Sequence, residues 1–145
     1  WANLVPLVGD QELRFAEAAD VHELTLKETD VQPLLQGYGN GRGIASGAVA
    51  VVRSADELPK VKPGDVLVAE QAELTWPWFQ AAMRASALVV EYDALLRCAF
   101  TLSWEVGIPC LIMASHATQV LKDGQIVTVD SRSVGGVYQG NMLGV

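Results

Sequence analysis

Five short apolar runs constrain this chain more than any other feature: AVAVV (48–52), VLVA (66–69), ALVV (87–90), CLIM (110–113) and IVTV (126–129). They are separated by the turn signals PGD, GIP and DGQ. Runs this short, rich in Val and Ile and bounded by Gly or Pro, read as buried strands rather than helices. Five or more strands are expected. Two helices interrupt them. The first has Thr75 as candidate N-cap, Trp76 and Pro77 in its opening turn, and Phe79, Ala82, Met83 and Ser86 at helical spacing. The second runs from about Cys98 to Val106 and stops at Gly107. Strands alternating with helices predict an α/β fold.

With 145 residues, half of them apolar, the chain can bury a core without a disulfide framework or a metal staple. Cys98 and Cys110 lack a CxxC or flanking histidines, so they form no metal set and suit a reducing compartment. No apolar run approaches the ~20 residues that span a bilayer, and the first residues lack a signal-like pattern. A cytoplasmic protein without a membrane partner is expected. Its start at Trp1 suggests a piece of a larger parent.

The charge divides the chain. Residues 1–36 hold seven acids against two bases, a leader in which Asp10 to Leu26 has helical composition. Pro33 then leads into the glycine-rich GYGNGRG, and the folded domain is placed at 37–145. The bases of that part are scattered, with no stripe that would neutralise nucleic-acid phosphates. Nucleic acid is therefore not an expected partner.

The segment DALLRCAFTLSWEVGIP (93–109) carries the chemistry. Cys98 falls at a helix opening, where unpaired N–H groups and the helix dipole favour an anion, and Arg97 beside it adds positive charge. Both influences favour a thiolate if the sulfur is not sealed. The competing reading makes Cys98 a small apolar filler, with Ala99, Leu102 and Val106 facing the sheet. Cys110 reads as core. Glu91 and Asp93 could act as acid and base, but carboxylates in an exposed turn usually serve solubility. GYGNGRG offers backbone N–H groups to a phosphate, without the GK[ST] of a P-loop. The tryptophans of TWPW (75–78) suit either docking or packing. His22 reads as solvated, and His116 as a lone loop histidine.

GIASGAVAVV, KPGDVLVAE, EVGIP, KDGQIVTVD and GGVYQG, in this order, resemble the mobile, swivelling phosphohistidine domain of phosphoenolpyruvate-utilising enzymes. That group includes pyruvate phosphate dikinase, phosphoenolpyruvate synthase, the first enzyme of the sugar phosphotransferase system and rifampin phosphotransferase. The resemblance implies a three-layer β/β/α swivelling domain. The family segment reads GGxTSHAAIxARExGIP. Aligned on GIP, its phosphoryl-accepting His falls on Cys98, its glycines on Asp93 and Ala94, its Thr-Ser on Leu96 and Arg97, and its Arg on Trp104. Ser115-His116-Ala117 lies after GIP and matches the family's Ser-His-Ala only by coincidence. The implied site residues are Cys98 at the acceptor position, Arg97 as anion or thiolate stabiliser, and Thr75 and Trp78 as substrate-binding residues.

The resemblance further implies a carrier-type domain of a larger ATP- or phosphoenolpyruvate-dependent, dikinase-like phosphotransferase. Cys98 would carry a covalent intermediate or none, and the domain would not turn over alone. No cofactor or metal is expected on this domain. ATP, with Mg, would belong to the partner nucleotide-binding and substrate domains of the parent. The alternative is a non-catalytic interaction or regulatory module that retains the carrier fold, similar to the extra C-terminal domain of some bacterial pyruvate kinases.

Overall fold

In a computed structural model, residues 32–93, 98–132 and 134–143 are described, and Pro33–Val145 forms one compact unit. The helix expected over Asp10 to Leu26, His22 and Arg97 lie outside the described residues. Seven strands are seen among these residues: β1 (Leu35–Gly39), β2 (Ile44–Val52), β3 (Val66–Ala69), β4 (Ala87–Val90), β5 (Cys110–Ile112), β6 (Ile126–Asp130) and β7 (Val134–Gln139). Their spatial order, β1-β5-β4-β3-β2-β6-β7, closes on itself. Strands β2 to β5 run parallel, and every other pairing is antiparallel.

Parallel neighbours need crossovers. The 3-10 helix Ala55–Lys60 links β2 to β3, α1 (Trp76–Arg84) links β3 to β4, and α2 (Cys98–Val106) links β4 to β5. A short α3 (Ala117–Val120) precedes β6. The central parallel strands β3 and β4 are buried on both faces, which is why they read as unbroken apolar runs rather than as an alternation. Leu67, Ala69, Leu88 and Val90 pack with Trp78, Ala81, Ala82, Ala99 and Leu102 of the helices. Val66, Val68, Ala87 and Val89 pack with Val127, Val129 and Val137 of the antiparallel strands. Helices, parallel strands and antiparallel strands are thus three layers around two cores, an α/β swivelling-type architecture. The two strand layers join at both edges.

Closure depends on glycine. A Cβ at Gly39 or Gly135 would collide with the backbone of Ser131 or Asp130. That close approach explains the GG of GGVYQG.

Helix α1 corrects one expectation. Its buried face is Trp78, Ala81 and Ala82, while Met83 is 56% exposed. Ser86 is not helical at all, because Ala85 is already extended. Arg84 fixes this register by donating from Nε to the Val61 carbonyl (2.8 Å) and from Nη2 to that of Leu58 (3.1 Å), which holds α1 against the 3-10 helix. Thr75 occupies the N-cap position, but its hydroxyl makes no capping bond. Among the described residues, no helix is long and apolar enough to cross a membrane.

Candidate functional site

The carboxyl ends of β2, β3, β4 and β5 share one rim of the sheet. Arg53 and Ser54 follow β2, Glu70 and Gln71 follow β3, Glu91 to Asp93 follow β4, and Met113 to His116 follow β5. A cleft of about 200 Å³ opens there, lined by Arg53, Ser54, Glu70, Gln71, Glu73 and Trp78 among others. Cys98, the first residue of α2, is half-buried.

The two carboxylates after β4 are built into the structure, contrary to their expected role as solvated turn residues. Glu91 Oε2 accepts hydrogen bonds from the Thr118 N–H (2.8 Å) and hydroxyl (2.6 Å), tying β4 to α3. The Thr118 carbonyl in turn accepts from Arg53 Nη2 at 2.9 Å. Asp93 Oδ1 accepts the Ala99 N–H in the first turn of α2 at 3.0 Å. Asp93 Oδ2 is buried with no hydrogen-bond partner. The wrong expectation has a simple cause: the partners sit on helices that only folding brings near.

Beneath α2 lies a polar cluster centred on Asn40, which the sequence did not single out. Asn40 Nδ2 donates to Ser103 Oγ (2.9 Å) and to the Ile108 carbonyl (3.0 Å). Its Oδ1 accepts from the Cys110 N–H (3.1 Å) and the Arg42 N–H (3.0 Å). The Cys110 thiol is fully buried here. Burial pushes it up to about 12, the nearby negative charge of Asp93 adds to the rise, and Ser103 opposes it.

The glycine-rich turn offers nothing to a phosphate. Its successive N–H groups from Asn40 to Gly43 are donated to the Cys110 carbonyl, the Ser131 carbonyl, Asn40 Oδ1 and Ser131 Oγ. Arg42 instead lies over the exposed Trp104 ring, 4.3 Å from its centroid, and reaches the Trp104 carbonyl at 3.3 Å. In TWPW, Trp78 is 5% exposed and belongs to the helix-side core, whereas Trp76 is 64% exposed and Thr75 faces solvent. Trp78 is among the residues that line the cleft, and Thr75 is not. His116 is exposed, precedes α3 in a left-handed conformation (φ 66°), and makes no capping bond. Among the described residues, no group of three or more His, Cys, Asp or Glu is placed to hold a metal.

The family described as PEP-utilising enzyme, mobile domain, matches residues 61–134. The probable phosphoenolpyruvate synthase of Archaeoglobus fulgidus is 39% identical over 127 residues, covering 87% of this chain and 16% of that protein. A pyruvate kinase of Lactobacillus delbrueckii subsp. bulgaricus is 36% identical over 110 residues, covering 75% of this chain and 18% of that protein. The chain thus spans less than a fifth of the length of these curated relatives. Aconitase X of Thermococcus kodakaraensis is similar with a TM-score of 0.52 at 16% identity, covering 72% of this chain and 98% of that one. This last likeness shows a shared fold alone.

Proposed function

The chain belongs to the family of PEP-utilising enzyme mobile domains, and from that premise we propose that it serves as the swivelling-type domain of a larger phosphoenolpyruvate-utilising phosphotransferase, docking against its partner domains without carrying phosphohistidine. One observation carries this reading: the opening of α2 is built from a thiol and a carboxylate, Cys98 and Asp93, with no imidazole between them. Cys98 stands where the resembling enzymes place their phosphoryl-accepting His. A thiol cannot form the phosphoramidate on which that relay depends. The nucleotide, its Mg and the substrate would be handled by the other domains, and the setting would be cytoplasmic. Alignment of this chain with 16% of the Archaeoglobus fulgidus protein supports a place within a larger protein.

A second reading rests on the partial exposure of Cys98. A half-buried thiol in the first turn of a helix is open to covalent chemistry in a way that a sealed one is not. Intact-mass analysis of the full-length parent after incubation with phosphoenolpyruvate, or with ATP and Mg, separates the two. No adduct on this domain is expected. An adduct that disappears in Cys98→Ala would sink the docking reading and establish Cys98 as a covalent carrier.

A further inference from the structure

We infer that Asp93 is a built-in anion, seated at the end of α2 that would otherwise favour phosphate, and that it makes the Cys98 position selective for neutral and cationic groups. The inference deepens the reading above and relies on it only for the importance of this position.

The N–H groups of a helix's first turn lack intrahelical partners, and the dipole there is positive, so a helix opening attracts negative charge. In this chain a residue five before Cys98 supplies that charge. Asp93 reaches from the end of β4 to the Ala99 N–H, so one donor that an incoming phosphoryl oxygen would use is already taken. The second oxygen makes the case independently. Asp93 Oδ2 is buried yet receives no hydrogen bond, so no donor at that oxygen offsets its charge. The field also reaches the core, where Asp93 contributes to the rise of the Cys110 thiol. A second anion brought to the opening of α2 would be repelled by that charge, whereas a neutral group would not be and a cation would be attracted. The glycine-rich turn cannot compensate, because its N–H groups are spent on Cys110, Ser131 and Asn40.

Thiol–disulfide exchange on the full chain reads this selectivity. Cys98 is the reporter, since Cys110 is fully buried. Its thiolate attacks one sulfur of an aromatic disulfide, forms a mixed disulfide and expels the other half as an aryl thiolate. Two reagents are compared: the dianionic bis(carboxynitrophenyl) disulfide and the neutral dipyridyl disulfide. Asp93→Asn keeps an oxygen for the Ala99 N–H and removes the charge. Asp93→Ser does the same with a smaller group, should the amide disturb folding.

The ratio of anionic to neutral rate is expected to rise about three- to tenfold in either variant at low salt, with the gain shrinking at high salt. Glu105→Gln, which removes an exposed carboxylate near the other end of α2, should leave the ratio at its wild-type value. The inference fails if the ratio is unchanged in both Asp93 variants, if its rise ignores salt, or if Cys98 reacts with neither reagent in any of the proteins. A phosphate adduct on the parent would overturn the docking reading without altering this ratio. An unchanged ratio would overturn the charge gate without creating an adduct.

Discussion

Single side chains do much of the joining in this molecule. The Asn40 amide uses both of its N–H donors and accepts twice at its oxygen, so the β1–β2 turn, α2 and β5 meet at one group whose hydrogen-bonding capacity is filled. Cys110, which donates its N–H to that amide, gives a prediction with a definite sign. Its thiol is raised from 9.0 to about 12, chiefly by burial, so the folded state keeps the proton that the unfolded chain releases. The resulting stability is fully present below pH 9 and declines as pH rises towards 12. On the order of 1 kcal/mol should be gone by pH 10. Urea unfolding at pH 8 and pH 10 should therefore show a steeper loss for wild type than for Cys110→Ala, and parallel losses would remove Cys110 as the cause. The core position of Cys110 was legible, since CLIM reads as a strand. The role of Asn40 was not, because Ser103 and Cys110 lie 63 and 70 residues further along the chain. Asp93 was legible only as a turn carboxylate, because its partner is the Ala99 N–H, six residues on and inside α2.

At the scale of elements, helix limits were easier to read than helix faces. The stop of α2 at Gly107 was legible because a left-handed residue (φ 89°) is required there, and glycine takes it without a steric cost. In WPWFQAAMRAS, apolar residues occur on more than one side, so a stripe through Phe79, Ala82 and Met83 and a stripe through Trp78, Ala81 and Ala82 both have helical spacing. The sheet selects the second, and Arg84 locks it onto the 3-10 helix. Trp78→Ala should accordingly cost about 3–5 kcal/mol through the cavity it leaves in the helix-side core. Met83→Ala, on the exposed face, should stay within about 0.5 kcal/mol of wild type. Denaturation midpoints measure both. Equal effects would mean that the helix sits on the sheet in the register first expected from its sequence.

Across the whole molecule, the two cores are bound together by the strands they share. Leu67 and Leu88 face the helices while their neighbours Val68 and Val89 face the antiparallel strands, so neither core can be lost without stripping one face of β3 and β4. Five of the seven strands seen among the described residues were legible from the apolar runs. Closure was not, because β1 (LQGYG) and β7 (VGGVYQ) are rich in glycine and carry little strand propensity of their own. Their glycines serve close approach between backbones, a property that exists only once the strands have met. Shared strands predict a single cooperative transition. Among the described residues, Trp76, Trp78 and Trp104 all belong to α1 or α2, so tryptophan fluorescence chiefly follows the helix layer, whereas far-ultraviolet circular dichroism follows helices and strands together. The two signals should give one urea midpoint. A fluorescence midpoint clearly below the dichroism midpoint would mean that the helices peel away from a barrel able to stand without them, and the coupling through β3 and β4 would then be absent.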